Sequence, residues 1–474
     1  MISADDNRLL TQSGPGTPGG RLLRSYWQPA ALTEELDRAA RETGRAIVPV
    51  RLLGEELVLY RGPADEPGTT PLYGLLDRAC AHRRADLSFG RLENGGLRCP
   101  FHGWLFDHTG ACLETPAEPA GSTFCTRVRQ SAYPVRERNG IVWAWLGDGK
   151  PAPLPGLDAF TAPPEQVFAF KGLWDCNWLQ AHEVGIDPSH ASFLHRFLGD
   201  VEEDYGLQFR ATIGDTGVPT TVLMREVASP EITVEPTGYG FRLVTLRDYG
   251  GDTVPRFTHV RITNCVFPNA ITIPMSAEIA ITQWHVPIDD HSCYWYSMFV
   301  SYGDPVDAER MRAQRIDAVE LPDYRPRTNR SNNWNHDPAE QAATTYTGLG
   351  LDINVHDQWA VESPGTIHDR TKEHLSPSDV GIRTQRRMML AAMSDPSLET
   401  LIGSAAPAEL SGPAAVDAVA YWRSATDAGA GADAGAGADA GHAGRPGAAE
   451  LDTCWREHEG KRRAAAPWAA ELTD

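Results

Sequence analysis

Two pairs of cysteine and histidine residues have a spacing that suits a metal cluster. Cys80 and His82 form the first pair and Cys99 and His102 the second, in the pattern C-x-H-x16-C-x2-H. Two thiolates can hold one iron of a [2Fe–2S] cluster while two neutral imidazoles hold the other, which raises the reduction potential. A structural zinc ion also accepts this donor set, but zinc fingers usually place a cysteine pair before a histidine pair. The pattern favours the iron–sulfur cluster and leaves zinc as the alternative.

A second set of candidate metal ligands lies in the segment CNWLQAHEVGIDPSHASFLHRFLGD. Asp187, His190 and His195 follow one another there as D-x2-H-x4-H. Two histidines and one carboxylate form the facial triad of non-haem Fe(II) oxygenases, which leaves positions open for O2 and substrate. Histidines five residues apart do not share one face of an ideal helix, so the helix must be interrupted, and Pro188 supplies a local reason.

The carboxylate of such a triad has to come from elsewhere in the chain. The downstream stretch NVHDQWAVESPGTIHDRTKEHLSPSD contains Asp357, with His356 and Glu362 as neighbouring candidates. Spacing alone does not choose among these three side chains. Asp187 itself suits the N-cap of a helix that begins at Pro188, where its carboxylate would accept backbone N–H groups.

Two arginines lie in alternating segments that we interpret as strands. Arg247 stands in TLRDYG and Arg261 in HVRITN. Each guanidinium is a planar donor that could bind a substrate carboxylate. A surface salt bridge is the commoner fate of an arginine, and the sequence leaves both alternatives open.

The order of the elements suggests how these residues are positioned. We expect a helical lead over residues 1–40, a small β-domain of short strands with Gly and Pro turns over 41–155, and a domain of helices and alternating strands over 156–423. The Ala/Gly/Asp repeat over 424–447 has no large apolar residue and is predicted to be a disordered insertion. A short C-terminal helix is expected over 448–474.

At this point the residues support a family resemblance. The stretch CAHRRADLSFGRLENGGLRCPFHGWLFDHTGAC resembles the Rieske domain of aromatic-ring-hydroxylating oxygenases, whose pattern is C-x-H-R, a Gly-containing hairpin and C-P-(Tyr or Phe)-H-G-W. The D-x2-H-x4-H segment is similar to the catalytic-iron motif of the same family, and the stretch that contains Asp357 is similar to its phthalate-dioxygenase-like branch. The resemblance implies an α+β protein, with an all-β Rieske domain followed by a helix-grip (START/Bet v1-like) catalytic domain built on an antiparallel sheet. His182 and Val184 depart from the family pattern, so the family's pocket shape is not carried over.

The resemblance also implies roles for individual residues. Asp187 would be an electron bridge between His190 of its own subunit and a Rieske histidine, here His102, of the neighbouring subunit. Glu183 stands where phthalate-type relatives have a Glu, so it is a candidate for an active-site hydrogen bond, with a solvated helix face as the alternative. The implied ligands of the Rieske cluster and of the mononuclear Fe(II) are, respectively, Cys80, His82, Cys99 and His102, and His190, His195 and Asp357.

The activity that the resemblance implies is that of an oxygenase α subunit. It would use O2 to dihydroxylate or monooxygenate a small aromatic substrate, which could be a carboxylate, with electrons from NAD(P)H delivered by a separate flavin and iron–sulfur reductase, with or without a ferredoxin. The branch implies a homotrimer or another cyclic homo-oligomer. An O- or N-demethylase of the same family is the alternative, and a Rieske electron carrier is a more remote one.

Composition and charge limit the kinds of partner that this chain can bind and the cellular compartment that we expect for it. A formal net charge of −20 argues against a nucleic-acid or anionic-membrane surface, because such surfaces need clustered Lys and Arg. No segment approaches the roughly 18 uninterrupted apolar residues of a membrane span. The N-terminal stretch MISADDNRLLTQSG has the features of neither a secretory nor a twin-arginine signal. We therefore expect a cytoplasmic protein.

Overall fold

The structure is a computed structural model that describes residues 2–62, 71–199, 212–251, 254–395, 413–423 and 444–469. Most of the predicted insertion (424–443) and the end of the predicted C-terminal helix (470–474) lie outside the described residues. Within the described ranges, no helix combines the length and the apolar character needed to cross a membrane.

The N-terminal part consists of three small antiparallel sheets that pack with three helices. The helices are α1 (Ala4–Thr11), α2 (Pro18–Arg24) and α3 (Thr33–Thr43). The strands are β1 (Gln28–Leu32), β2 (Ile47–Leu52), β3 (Glu55–Arg61), β4 (Tyr73–Asp77), β5 (Arg91–Glu93), β6 (Gly96–Arg98), β7 (Leu105–Phe106), β8 (Cys112–Glu114), β9 (Ala132–Tyr133), β10 (Val135–Arg138) and β11 (Ile141–Ala144). Their orders are β1-β11-β10, β2-β3-β4-β9 and β5-β6-β7-β8. After α3 the described residues of this part form only strands and short 3-10 turns, which confirms the predicted all-β domain.

The expected helical lead over residues 1–40 differs from the structure in one element. Gln28–Leu32 forms strand β1, which pairs with β11 in the antiparallel sense. All five residues of the strand are buried, so this segment lies inside the domain. A strand that is buried on both faces lacks the polar and apolar alternation by which a strand is usually recognised in a sequence.

The second part is built on one large antiparallel sheet. Its helices are α4 (Asp158–Thr161), α5 (Trp178–Gly185), α6 (Thr220–Glu226), α7 (Ala308–Asp317), α8 (Pro338–Ala343), α9 (Ile353–Glu362), α10 (Val380–Ser394) and α11 (Ala448–Ala465). Its strands are β12 (Val167–Trp174), β13 (Glu231–Thr237), β14 (Gly240–Tyr249), β15 (Phe257–Val266), β16 (Ala270–Pro274), β17 (Ile279–Pro287), β18 (Cys293–Ser301), β19 (Val319–Glu320), β20 (Arg325–Pro326) and β21 (Val416–Tyr421). The order of the large sheet is β12-β18-β17-β16-β15-β14-β13, with β21 paired to β15, whereas β19 and β20 form a separate two-stranded sheet. Helix α5 packs against β16, β17 and β18, and α9 packs against α5.

The apolar core does not break at the predicted domain boundary near residue 155. One cluster of buried side chains includes Leu23 and Trp143 from the N-terminal part and Phe170 and Trp284 from the large sheet. A smaller cluster surrounds Cys80. The boundary itself stays a prediction, because packing is continuous across it.

Helix α5 ends at Gly185, before Pro188, as the sequence predicts. Asn177 caps its first turn by accepting the Leu179 backbone N–H at 3.1 Å. At the other end Gly185 lies against the sheet, and a Cβ atom there would stand 2.0 Å from Cδ1 of Ile271. Pro188 follows, which lacks an N–H and cannot continue the helix. The chain then turns and carries the next histidines away from the helix axis.

Candidate metal centres

Two loops at neighbouring edges of the small sheets carry the first set of candidate ligands. Cys80 and His82 follow β4, and Cys99 and His102 follow β6. The second loop is closed by the Cys99 N–H, which donates to the Trp104 carbonyl at 2.8 Å, and by a glycine with φ of +77° at position 103. The rings of His82 and His102 lie 4.5 Å apart between centroids. The structure therefore brings both Cys/His pairs together.

The chemistry of this donor set fits a two-iron cluster. Cys80 and Cys99 are buried, and burial is the main reason that the pKa of the Cys80 thiol rises to about 11, with Cys99 as a further contribution. Two adjacent buried thiols ionise readily only when a cation binds them. The two imidazoles are half-buried instead, and the ring of His82 stacks on Trp104 at 4.3 Å. Burial lowers the pKa of His102, which favours the neutral form that a metal binds.

The second set of candidate ligands also converges in space. His190 opens a 3-10 turn (His190–Ser192), His195 follows it, and Asp357 comes from α9. His195 Nε2 lies 3.2 Å from His190 Nε2 and 3.2 Å from Asp357 Oδ1, and His190 Nε2 lies 3.8 Å from the same oxygen. Ligands about 2.1 Å from a metal and at right angles to one another are about 3 Å apart. The three atoms thus have the separation of one face of an octahedron.

Hydrogen bonding and burial prepare these side chains for a cation. His190 Nδ1 donates to the main-chain carbonyl of Asp187, which leaves Nε2 as the nitrogen that faces the other two residues. Burial, followed by the nearby His195, lowers the pKa of His190 and so favours a neutral ring. Burial opposes ionisation of Asp357, but the histidines outweigh it and hold the pKa of Asp357 below its ordinary value. Two histidines beside a carboxylate match the ligand set of a divalent iron.

The two neighbours of Asp357 that the sequence left open lie elsewhere. His356 is fully buried, and its Nε2 donates to the Gly350 carbonyl at 2.7 Å. Glu362 accepts the Asp175 backbone N–H at 2.9 Å and the indole N–H of Trp334 at 3.1 Å. Neither belongs to the group whose ligand atoms lie within 4.8 Å of one another.

Asp187 caps a turn, and its role as an electron bridge stays a prediction. Its Oδ1 accepts the backbone N–H of Ser189 at 2.9 Å, as a turn-capping carboxylate does. The side chain is half-buried and also lines the cavity beside His190. Its main-chain oxygen, rather than its carboxylate, is the acceptor for His190.

Glu183 requires a correction, since neither the expected active-site contact nor the solvated face describes it. The side chain points away from the cavity and lies between two buried arginines. Its carboxylate accepts from Arg370 Nη2 at 3.0 Å and from Arg386 Nε at 2.5 Å. The reason is the helical step, because Val184 and Gly185 line the cavity from the adjacent face of α5.

A cavity of about 170 Å³ lies next to the histidines and Asp357. One wall is the large sheet, and the end of α5 and the start of α9 supply others. Its polar lining includes Thr263, Gln283 and His285, which the sequence analysis did not select. Alternation was the available signal, because side chains two apart on a strand share a face: Gln283 and His285 are two apart on β17, and Thr263 is two residues after Arg261 on β15. Apolar lining comes from Trp174, Phe197, Met224, Ile273, Ile281 and Trp295.

Arg247 and Arg261 both line this cavity, but only one of them is paired with a carboxylate. Arg261 donates to both oxygens of Asp417, at 3.0 and 2.9 Å. Arg247 is 1% exposed and donates to the Pro188 carbonyl at 3.0 Å. Its Nε and Nη1 atoms have no hydrogen-bond partner among the described residues. A salt bridge is thus the state of Arg261, as one alternative expected. Arg247 has no carboxylate of the described residues within ion-pair distance, and Asp417 acts on it only from further away.

Two family models match the sequence and divide it between the two metal centres. The Rieske [2Fe-2S] domain matches residues 26–132, and the LigXa C-terminal domain like family matches residues 144–425. The first match includes the Cys/His pairs and the second includes His190, His195 and Asp357.

Curated relatives are similar over most of the chain. The 5,5'-dehydrodivanillate O-demethylase oxygenase subunit of Sphingobium sp. (strain NBRC 103272 / SYK-6) is 35% identical over 83% of this chain and 81% of the relative. The phthalate 4,5-dioxygenase oxygenase subunit of Pseudomonas putida is 33% identical over 83% of this chain and 87% of the relative. The 3-chlorobenzoate-3,4-dioxygenase oxygenase subunit of Comamonas testosteroni is 31% identical over 85% and 91%.

A solved structure shares the fold. NdmA of Pseudomonas putida CBB5 with caffeine superposes with a TM-score of 0.53 at 20% identity, over 81% of this chain and 95% of that chain. The fold is therefore common to this chain and to a protein of low sequence identity.

Proposed function

This chain belongs to the Rieske non-haem iron oxygenase family as an oxygenase component, and we propose that it uses O2 to oxidise a small aromatic carboxylate. Both cofactors of the family follow from that membership, the [2Fe–2S] Rieske cluster and the mononuclear iron. One observation carries the proposal, namely the convergence of His190, His195 and Asp357 beside a cavity that also contains Arg247.

The proposed ligands follow from the donor sets. Cys80 and Cys99 would hold one iron of the Rieske cluster, and His82 and His102 the other. His190, His195 and Asp357 would hold the mononuclear Fe(II), as suggested by donor atoms 3.2 to 3.8 Å apart. The buried Nδ1 of His195 and the buried Oδ1 of Asp357 have no hydrogen-bond partner among the described residues, and a cation is the neighbour that would satisfy the carboxylate.

The bound groups supply the redox chemistry, with electrons from the Rieske cluster and O2 activation at the mononuclear iron. The chain supplies orientation. The hydrogen bond from His190 Nδ1 to the Asp187 carbonyl fixes the tautomer and the direction of the ring. The apolar side chains of Ile273 and Ile281 exclude water from the cavity and give an aromatic ring a surface to pack against.

The carboxylate preference rests on Arg247. A buried cation without a counter-ion costs several kcal/mol, and a ligand carboxylate removes that cost. Burial, with Arg261 as the next contribution, lowers the pKa of Arg247 to about 10, so the guanidinium remains charged at neutral pH. An anion bound to Arg247 would hold its aromatic ring in the same cavity as His190 and Asp357.

We further propose a cyclic homo-oligomer in which the Rieske domain of one copy faces the catalytic cavity of the next. Two exposed aromatic patches support this arrangement. Phe101 is 55% exposed beside His102, and Phe193 and Tyr346 are 46% and 48% exposed near His195. A contiguous patch of exposed apolar side chains, unlike a single exposed side chain, is a feature of interfaces. Asp187 would then contact His190 of its own chain and His102 of the partner subunit. Sedimentation equilibrium of the holoenzyme should give a trimer, and a monomer would refute the arrangement.

The electron source and the compartment are proposals as well. Electrons would come from NAD(P)H through a separate reductase, with or without a ferredoxin, in the cytoplasm. Because this chain has a formal net charge of −20, a basic docking surface on the electron-transfer partner would be electrostatically complementary to it.

Single-turnover oxidation tests the proposed activity without the reductase. Chemically reduced holoenzyme is mixed with O2 and with substituted benzoates or the matching benzamides, and products are identified by mass spectrometry with ¹⁸O2. We expect labelled products from benzoates and at least about tenfold less from benzamides, which lack the charge. Arg247→Gln should remove the difference. Equal oxidation of acids and amides by the wild-type protein would refute the carboxylate preference.

The same experiment addresses a second candidate, O-demethylation. It is favoured by the 35% identity to a 5,5'-dehydrodivanillate O-demethylase oxygenase subunit. With methoxybenzoates, demethylation releases formaldehyde and leaves a phenol, whereas ring dihydroxylation gives a diol that retains the methoxy group. The ratio of the two products assigns the reaction type.

A further inference from the structure

The part of the cavity wall that β14 and β15 form is lined by Arg247 and Arg261, which belong to a larger group of polar residues from three strands. In the antiparallel register Arg247 lies opposite His259, and Arg261 lies two residues further along β15. Strand β21 pairs with the other edge of this part of β15 and places Asp417 opposite Arg261. Arg247, His259, Arg261 and Asp417 therefore belong to one continuous polar group.

Both carboxylate oxygens of Asp417 accept hydrogen bonds within this group. It accepts two hydrogen bonds from Arg261 Nη1 and one from His259 Nε2, the latter at 2.9 Å. Arg261 Nη2 in turn donates to the Pro274 carbonyl at 2.7 Å. The carboxylate is buried, and Arg261 is the main group that holds its pKa below the ordinary value against the effect of burial. Since Asp417 neutralises Arg261, this pair adds no net charge to the cavity wall.

Arg247 is different, because the described residues give it a main-chain acceptor but no carboxylate. This polar group has two positive charges and one negative charge, which leaves a net charge of +1 from Arg247, Arg261 and Asp417. The other carboxylates that line the cavity, Asp187 and Asp357, lie at the candidate iron site. Burial lowers the pKa of His259, which favours the neutral ring, so His259 adds no charge to this sum. A ligand with one carboxylate would balance the wall, and a ligand with two would not.

We infer that Asp417 is a specificity-determining residue that restricts this cavity to ligands with a single negative charge, an inference that rests on the proposed carboxylate function. It acts through Arg261, whose guanidinium it occupies, and by its own charge it opposes a second carboxylate on the ligand. A buried carboxylate that lacks a cation is strongly disfavoured, so a mismatch of one charge suffices for selectivity. A residue that repels the wrong ligand is as effective as one that attracts the right ligand.

The test compares ligands that have the same ring and differ by one charge. Probes are benzoate, the three benzenedicarboxylates and their monomethyl esters, so that the spacing of the two carboxyl groups is varied as well. Binding to the anaerobic Fe(II) holoenzyme is measured by isothermal titration calorimetry, which does not depend on turnover. For at least one isomer, the wild-type protein should bind the monoester at least about tenfold more tightly than the diacid, and for no isomer should the diacid bind more tightly.

Asp417→Asn is the decisive variant, because it removes the charge and keeps a hydrogen-bond acceptor for Arg261. We expect it to tighten diacid binding at least about tenfold and to change benzoate binding less than about threefold. Asp452→Asn is the matched control, since Asp452 is a half-buried residue of α11 that does not line the cavity, and an asparagine keeps an acceptor for its partners Arg456 and Trp455. The control should leave all affinities unchanged.

The outcomes separate this inference from the proposed function. Wild-type protein that binds diacids as tightly as their monoesters overturns the inference, as does Asp417→Asn protein that binds benzoate normally without a gain for diacids. The wild-type comparison decides the matter even if the variant does not fold. Failure of the wild-type protein to bind benzoate and the monoesters, or unchanged benzoate binding in Arg247→Gln, would refute the carboxylate function itself.

Discussion

Replacing Glu183 by Gln should destabilise the protein rather than disable its chemistry. The carboxylate lies between Arg370 and Arg386, whose side chains are 0% and 4% exposed. Gln keeps the shape of the side chain but removes the charge that both guanidinium groups share. Arg370 then has no ion pair among the described residues and keeps a neutral partner, Asn7, at 3.2 Å.

The expected loss can be estimated from the contacts. Removing one partner of a buried ion pair typically costs about 3–5 kcal/mol, because the remaining charge is left uncompensated. Arg386 also pairs with Glu373, so only Arg370 becomes fully uncompensated. We therefore expect the lower end of that range, about 3 kcal/mol, in the free energy of unfolding.

Urea unfolding followed by circular dichroism measures this loss, with Glu320→Gln as the control. Glu320 is 61% exposed and pairs with Arg327 at 3.5 Å, so its loss should cost less than about 0.5 kcal/mol. The pH dependence adds a second test. Burial raises the pKa of Glu183, but the two arginines outweigh it and lower that pKa overall. The contribution of Glu183 is thus present above the unfolded-state pKa of about 4.3 and is lost as pH falls through the folded value.

A specific result would refute this reasoning. If Glu183→Gln unfolds at the wild-type urea concentration, retains its iron and yet loses most of its oxidation activity, Glu183 has the active-site role that the sequence suggested. A stability difference that stays constant down to pH 3 would contradict the electrostatic origin.

Three further predictions concern the metal centres and their support. Asp357→Ala should lower the iron content from about three to about two atoms per chain and leave the sulfide content unchanged, as measured by mass spectrometry and a colorimetric sulfide assay. An undiminished iron content would contradict the role of Asp357 as a ligand. His102→Cys should lower the reduction potential of the cluster by more than about 100 mV in a spectroelectrochemical titration, because a thiolate replaces a neutral imidazole, and an unchanged potential would count against ligation by His102. Gly185→Ala should lower the free energy of unfolding in urea by about 1–3 kcal/mol, since its Cβ would stand 2.0 Å from the Ile271 side chain. Adding Ile271→Val should recover part of that loss, and an unchanged free energy of unfolding in Gly185→Ala would mean that the contact is loose.

The sequence was sufficient where chemistry depends on local spacing. The Cys80, His82, Cys99 and His102 pairs lie in short loops, so their neighbours in sequence are also their neighbours in space. The end of α5 was also predictable, because Pro188, which prevents the helix from continuing, is close to it in the sequence. Asp357 is different, because it comes from a helix more than a hundred residues downstream, and only the family resemblance selected it.

Long-range electrostatics could not be predicted from the sequence. Whether Glu183 faces a cavity, water or an arginine depends on Arg370 and Arg386, which are distant in the chain. The pairing of Arg261 with Asp417 depends on β21 joining the sheet beside β15. Strand β1 was not predicted either, because all of its residues are buried and no alternation of polar and apolar residues marks it as a strand.

The most direct test of the two metal centres is the iron and acid-labile sulfide content of anaerobically purified protein, together with its EPR spectrum after reduction. We expect about three irons and about two sulfides per chain, with a Rieske signal from the reduced cluster. Zinc in place of iron, with no sulfide, would contradict both centres.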